Sequence, residues 1–276
     1  MVTEGLSAVS LSTQYSVLRT VASWTLILDG VGRPGWANMA IDQALLDLAE
    51  REGRAFLRLY RWTPHCLSFG RNEPALRRYA PDQILALRLD TVRRPTGGRA
   101  VWHARELTYA VAAPATCFGS LAESYRRIHE MMAEAVRRLG APATLAAAPA
   151  HSPGLHGGAC FAQPAGGEVV AAGRKVVGSA QLRQGTAFLQ HGSLLLEDSQ
   201  DIVGQVSRGA WGKGADAPLA SLLGRSVAFP EAARAVIESA RSWTGDWRAQ
   251  ELTPELEAAT EPHYARFRSA EWTWRR

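Results

Sequence analysis

Residues 168–197 read EVVAAGRKVVGSAQLRQGTAFLQHGSLLLE. Three strands are expected here, Glu168–Ala172, Arg174–Leu182 and Thr186–Glu197, joined by turns at Gly173 and near Gly185. Successive strands separated by such short turns pair antiparallel, because a parallel partner needs a crossover of a dozen residues or more. Upstream, Ser23–Asp29 alternates like a strand. Ile41, Ala44, Leu45 and Leu48 then recur at helical spacing, which predicts an amphipathic helix over about residues 37–51. Further strands are expected at Ala55–Arg61, Cys66–Gly70, Leu89–Arg94 and Leu107–Ala113, with a short helix after Pro81. Leu121, Tyr125, Ile128, Met132, Ala135 and Leu139 mark a long helix that Gly140 and Pro142 stop, with Met131 and Met132 as core filler. Two more helices start at Pro230 and at Thr253-Pro254, where Thr is the cap and Pro the first helical residue. Strands clustered in hairpins and interleaved with helices make the expected class α+β, a mixed, mostly antiparallel arrangement packed with helices.

The chain has 276 residues, enough for one sizeable core. Residues 1–22 are expected to be a short mobile leader and not a signal peptide, since no apolar run follows a basic start. Residues 23–276 are expected to form one domain, with 206–276 a helical C-terminal part. No apolar stretch approaches the roughly 20 residues of a membrane helix, so no membrane association and a cytoplasmic location are expected. The net charge of +5 permits an acidic protein partner. Its basic pairs, such as Arg77-Arg78 and Arg137-Arg138, are scattered as on solvated faces, and no nucleic-acid module is recognisable.

Cys66, Cys117 and Cys160 have no CxxC spacing, so neither a disulfide framework nor a zinc site is expected, and no metal is assigned. Cys66 and Cys117 fall in or beside core-like elements. Cys160 lies in the Pro/Gly/Ala-rich stretch 140–167, a length that in a compact domain is either functional or disordered. A loop thiol near a cation can act as a thiolate nucleophile, and a buried apolar thiol is the other reading. Of the 31 basic residues, 29 are arginine and only Lys175 and Lys213 are lysine. Arg cannot give up its proton, so a lysine retained in a glycine-bounded segment marks chemistry arginine could not do. The bland alternative for Lys175 is a surface lysine in a snug hairpin. Gly178, Ser179 and Ala180 leave room for another chain or a ligand against the sheet. Pro95-Thr96-Gly97-Gly98-Arg99 joins two strands, and its double glycine lets backbone N–H groups approach a carbonyl or phosphate, though most such pairs are merely turns. It is not a P-loop, because no GK[ST] follows. His103 and His191 lie near these two segments, each either a substrate-orienting donor or a satisfied structural histidine. No HExxH, no Ser-His-Asp order and no paired carboxylates are apparent, which gives metal hydrolysis and glycosidase chemistry little support.

RRPTGGRAVWHARELTYAV (residues 93–111) and GRKVVGSAQ (173–181) followed by LQHGSLLL (189–196) resemble, in order, the two signatures of the biotin/lipoate protein ligase and octanoyltransferase superfamily. Ala37–Asp42 and Leu67–Arg71 resemble further family segments, so the similarity spans roughly residues 23–205. The Gly-Gly-Arg-Ala-Val form, with a cysteine preceding GRKVVGSAQ, is most similar to the cysteine-dependent octanoyltransferases. That resemblance implies the biotin/lipoate ligase catalytic-domain fold and transfer of octanoate (or a lipoyl group) from acyl carrier protein to a lysine of a lipoyl-domain protein such as the glycine cleavage H protein. Cys160 would carry the acyl group as a thioester, and Lys175 would position the acyl carbonyl and help move the proton. The resemblance further assigns substrate contacts to Arg71, Arg94, Thr96, Gly97, Gly98, Arg99, His103 and His191, and the backbone around Gly178, Ser179 and Ala180 to the oxyanion. The donor is the octanoyl-phosphopantetheine of the carrier, no other cofactor is required, and the enzyme is expected to be a monomer. Rival readings are an ATP-dependent lipoate or biotin ligase acting through an acyl-adenylate, an amidotransferase between lipoyl domains, and a non-catalytic binder of acylated carrier domains.

Overall fold

Side-chain alternation along the central strand organises the fold, here seen in a computed structural model that describes residues 23–147, 166–209 and 216–275. The elements in chain order begin with β1 (Ser23–Arg33), α1 (Gly35–Glu52), β2 (Ala55–Trp62), β3 (Cys66–Phe69), α2 (Ala75–Arg78), α3 (Pro81–Ala86) and β4 (Asp90–Arg93). Next come β5 (Val101–His103), β6 (Glu106–Pro114), α4 (Leu121–Arg138), β7 (Ala143–Leu145), β8 (Val169–Ala171), β9 (Arg174–Lys175), β10 (Val177–Gln184) and β11 (Ala187–Leu195). The last are α5 (Asp201–Gln205), α6 (Leu219–Leu223), α7 (Phe229–Ala240), β12 (Asp246–Gln250), α8 (Pro254–Arg268) and α9 (Ala270–Trp274). A six-stranded sheet runs β10-β11-β6-β2-β1-β12, and two three-stranded sheets run β4-β3-β5 and β7-β8-β9. The strands from β10 to β2 pair antiparallel, whereas β1 lies parallel to β2 and β12. Helix α1 is the crossover that parallel β1 and β2 require.

Along β6, Leu107, Tyr109, Val111 and Ala113 enter one core with Ile128, Met131 and Met132 of α4 and Ala232 and Val236 of α7. Ala110 and Ala112, from the intervening positions, enter the other with Met39, Ile41 and Leu45 of α1. The period of two thus buries both faces of the sheet. Helix α4 starts at a capping box in which Ser120 and Glu123 each accept the other's backbone N–H. Thr253 caps α8 as its sequence indicates, its hydroxyl accepting from Leu256 N. Met131 and Met132 are core residues, as their spacing implies.

Three features differ from the sequence reading. The strand expected over 174–182 is interrupted at Val176, so Lys175 belongs to the small β7-β8-β9 sheet and Gly178 to the large one. Helix α1 is buried nearly all round, because α8 covers the side away from the sheet. Within the stretch expected to be structureless, Ala143–Leu145 forms β7 and pairs with β8. Residues 206–209 and 216–275 supply both the cover of α1 and the parallel edge strand β12. No helix among the described residues is long and apolar enough to cross a membrane.

Candidate active site

The glycine segment 95–99 is shaped by two buried arginines. Arg94 Nη1 donates to Ser68 O (2.9 Å) and Ser68 Oγ (2.6 Å), while Nη2 donates to Gly97 O (3.0 Å) and Arg99 O (2.9 Å). Its planar fork therefore ties the loop to β3, which a single ammonium could not span. Gly98 sits at φ +91°, and a Cβ on Gly70 would lie 1.9 Å from Gly98 O, so the crossing of the two segments needs a glycine at 70. Arg93 turns the other way. It donates to the carbonyls of Gly70, Glu73, Thr273 and Arg275, joining the C-terminal helix α9 to the loop's base.

Beneath the loop runs a buried polar chain. Arg58, fully enclosed, contacts Asp29 (2.7 Å) and Asp42 (3.0 Å) and also donates to Asn38 Oδ1. Asp42 Oδ2 accepts from Tyr60 OH (2.8 Å) and from His191 Nδ1 (2.9 Å). His191 Nε2 then meets Thr96 Oγ1 at 2.6 Å. Burial lowers the His191 pKa despite the Asp42 carboxylate, so the ring is neutral at pH 7 and Nε2 accepts the Thr96 hydroxyl proton. His103 stacks on Trp62, with Nδ1 donating to Glu106 Oε1 (2.8 Å) and Nε2 lying 2.6 Å from Ser68 Oγ. Two hydroxyl–histidine–carboxylate chains thus exist that no ordered sequence motif announces. The Ser68 hydroxyl already receives Arg94, and Thr96 is fully enclosed, so both chains brace the site and neither presents a nucleophile.

These groups surround a pocket with a mostly apolar lining. Arg94, His103, Gly178, Ser179, Ala180 and His191 line it, so residues flanking the 95–99 segment meet Gly178–Ala180 at one cavity. Met39, Tyr60, Trp62, Val101, Thr108, Gly192 and Ser193 complete the lining, residues that sequence reasoning did not assign to a site. Cross-strand register explains the grouping: Gly178 pairs with Ser193, Ser193 with Thr108 and Thr108 with Tyr60, one row across four strands.

The other expected contacts sit differently. Thr96 supports the pocket through His191, and Gly97 and Arg99 through carbonyls held by Arg94. Arg71 is exposed; its N–H bonds Thr96 O and its carbonyl accepts from Arg275. Lys175 is not among the pocket's lining residues. It is 1% exposed, which excludes the surface-lysine reading, and its Nζ donates to Glu168 Oε1 at 2.7 Å. Cys160 lies outside the described residues, as does Lys213. Burial pushes the Cys66 thiol far up and the Cys117 thiol up to about 12, leaving neither as a thiolate at neutral pH. Among the described residues, no group of three or more His, Cys, Asp or Glu side chains is placed to hold a metal.

The strand and loop arrangement matches known proteins. A lipoate-protein ligase A bound with ATP superposes with a TM-score of 0.76 at 19% identity, covering 92% of this chain and 99% of that one, which establishes a shared fold. The octanoyltransferase LipM of Kyrpidia tusciae is 34% identical over 280 residues, covering 92% of this chain and 99% of that protein. LipM of Bacillus subtilis is 37% identical over 192 residues, covering 65% of this chain and 67% of that protein. Residues 34–239 match the lipoyl protein ligase A/B catalytic domain. On that match and those relatives, the chain belongs to the lipoyl protein ligase A/B catalytic-domain family.

Proposed function

We propose that this chain is an octanoyltransferase of lipoate biosynthesis that moves an octanoyl group from the phosphopantetheine thioester of acyl carrier protein to a lysine of a lipoyl-domain protein such as the glycine cleavage H protein. The observation that carries the reading is the largely apolar pocket lined by Arg94, Val101 and His103, which flank the Gly97-Gly98 loop, and bordered by the Gly178–Ala180 segment. Support comes also from relatives named as octanoyltransferases that align over nearly the whole chain. Met39, Trp62 and Val101 offer an acyl chain an apolar lining, and the braced histidines place neutral or hydrogen-bonded ring edges beside it.

In this mechanism the Cys160 thiolate attacks the carrier thioester, so that a C–S bond forms to the enzyme as the phosphopantetheine thiol departs. Lys175, held by Glu168, is suited to donating a hydrogen bond to the acyl carbonyl. Backbone N–H groups of the Gly178–Ala180 edge strand would share the developing oxyanion. A lysine amine of the acceptor protein then displaces Cys160, converting thioester to amide. Thioester to thioester to amide is downhill, so neither ATP nor a metal is required. The chain's net charge of +5 suits acidic carrier proteins.

The test is intact-mass analysis after incubation with octanoyl-acyl carrier protein in the absence of ATP. An added octanoyl group that disappears in C160S is the expected result. No adduct, with acylation appearing only when ATP and free octanoate or lipoate are supplied, would replace this reading with an adenylate-forming ligase.

A further inference from the structure

Surface arginines in this chain commonly meet acids. Arg105 contacts Glu197 and Asp198, Arg126 contacts Glu130, Arg137 contacts Glu134 and Arg225 contacts Glu231. One group departs from that habit. Arg266 of α8 and Arg275, just past α9, each hold a guanidinium carbon 3.7 Å from the ring centre of Trp272. The indole is itself fixed, its Nε1 donating to Arg93 O (3.0 Å). Arg275 Nη2 donates to Arg71 O (2.8 Å), which sets the exposed Arg71 beside the pair. Burial lowers the Arg266 pKa, and the charges of Arg71 and Arg275 push it the same way against a smaller pull from Asp47. Among the described residues no carboxylate pairs with the Arg71 or Arg266 guanidinium, and Arg266 Nε is enclosed without a hydrogen-bond partner.

Gathering like charges works against the folded state unless an anion offsets it. Stacking on Trp272 also holds the guanidinium planes in place, so little side-chain freedom is left to lose on binding. Planar forks with unused N–H groups match the several oxygens of a phosphate, and a lone carboxylate would occupy only one of them. The location narrows the choice further. Arg71 N–H bonds Thr96 O at 2.7 Å, and Gly70 packs directly on Gly98 O, so the group is tied to the loop whose flanking Arg94 lines the acyl pocket. In a phosphopantetheine thioester the phosphate is at the far end of the arm from the acyl carbon. With the acyl chain in the pocket, that phosphate belongs outside it, at a solvent-facing cationic group attached to the glycine loop.

We propose, building on the octanoyl-transfer reading, that Arg71, Arg266 and Arg275 around Trp272 form the docking site for the phosphate that joins the donor's pantetheine arm to its carrier protein. Arg71 and Arg266 supply the N–H donors, and Trp272 holds the forks in position. The C-terminal helices α8 and α9 thereby take part in choosing the donor. A pantetheine thioester without the phosphate forgoes this contact and enters the pocket on its acyl chain alone.

Three donors separate the claim from its foundation: octanoyl-pantetheine, octanoyl-phosphopantetheine and octanoyl-acyl carrier protein, each with a lipoyl domain as acceptor and thiol release as the readout. Wild type should show a KM about tenfold lower for octanoyl-phosphopantetheine than for octanoyl-pantetheine. R71Q and R266Q should each raise KM for the two phosphate-bearing donors about tenfold, with a much smaller change in kcat. KM for octanoyl-pantetheine should move less than twofold. R266K keeps the charge and should recover part of the loss, and added salt should weaken the phosphate-bearing donors selectively. R71Q alters an exposed side chain and keeps the Arg71 backbone bonds, so its effect is free of any disturbance to α8. A KM rise shared equally by octanoyl-pantetheine, a rise confined to the intact carrier protein, or no rise beyond twofold in either variant overturns the assignment. A wild-type chain that releases thiol from none of the three donors sinks the transfer reading itself.

Discussion

Replacing Arg94 by Lys keeps the charge and removes the fork. In the native site Nη1 serves Ser68 O and Oγ while Nη2 serves Gly97 O and Arg99 O. One ammonium can hold one of these pairs but not both, so two charge-assisted hydrogen bonds are lost. Each is worth about 1.5–3 kcal/mol. The Gly97 and Arg99 carbonyls are only partly buried and water can reach them, which places the cost at the low end, about 3 kcal/mol in all. For a chain of this length each kcal/mol shifts Tm by roughly 2–4 °C, so R94K should melt roughly 6–12 °C lower. The loosened turn also carries Thr96 away from His191 Nε2 at the pocket's rim. KM for the acyl donor should therefore rise more than kcat falls. Urea denaturation and steady-state transfer kinetics measure both effects. An R94K chain within about 0.5 kcal/mol of wild type, with unchanged KM, would refute the view that this guanidinium holds the glycine loop.

Three further outcomes follow from the same network. Arg58→Met leaves Asp42 buried without its guanidinium and Asp29 with Arg33 alone, and should cost about 3–5 kcal/mol in denaturant unfolding, part of it recovered by adding Asp42→Asn; a neutral effect would contradict the assigned pairing. Burial raises the Asp47 pKa, but hydrogen bonds from His263, Gln184 and Gln43 overcome this and hold it at about 2. Because this folded-state value lies below the unfolded value near 3.9, the Asp47 contribution is complete above about pH 4 and is lost as pH falls through about 2. The stability gap between wild type and Asp47→Asn should close over that window, and a gap persisting at pH 2 would count against it. Finally, Cys66 and Cys117 should resist a thiol reagent at pH 7.5 in the folded chain, since burial raises both thiols; fast labelling at either position would show the burial to be wrong.

Much of this fold is legible in the sequence through the spacing and length of its apolar residues. The α4 stripe from Leu121 to Leu139 buries one face and carries a helical period, whereas Leu107–Ala113 is buried on both faces and shows instead as a short apolar run. Strand β12 is not legible in this way: DWRAQ is largely exposed, Trp247 stacking on Trp24 of β1 while its neighbours face water, so no alternation marks it. Helix α1 misleads for the opposite reason, since α8 buries the face that an amphipathic helix would leave in water. At the site, the glycine-bounded segments and both motif histidines were readable, whereas the partners that fix them were not. Asn38 and Asp42 sit on a helix whose apolar spacing hides them, and only their enclosure with Arg58 gives them meaning. His129 next to Ile128 on the apolar side of α4 was a polar residue at a core position, which is the signal that points to a buried network. Lysine scarcity singled out Lys175, and its burial against Glu168 accords with a role that a surface cation would not have.

The most direct test of the account is the mass of an apo lipoyl domain, its target lysine unmodified, after incubation with this chain and octanoyl-acyl carrier protein in an ATP-free buffer. The account predicts a gain of one octanoyl group on that lysine, undiminished by an ATP-depleting system and lost when Cys160 is replaced by Ser. An acceptor that stays unmodified until ATP and free fatty acid are added would contradict it.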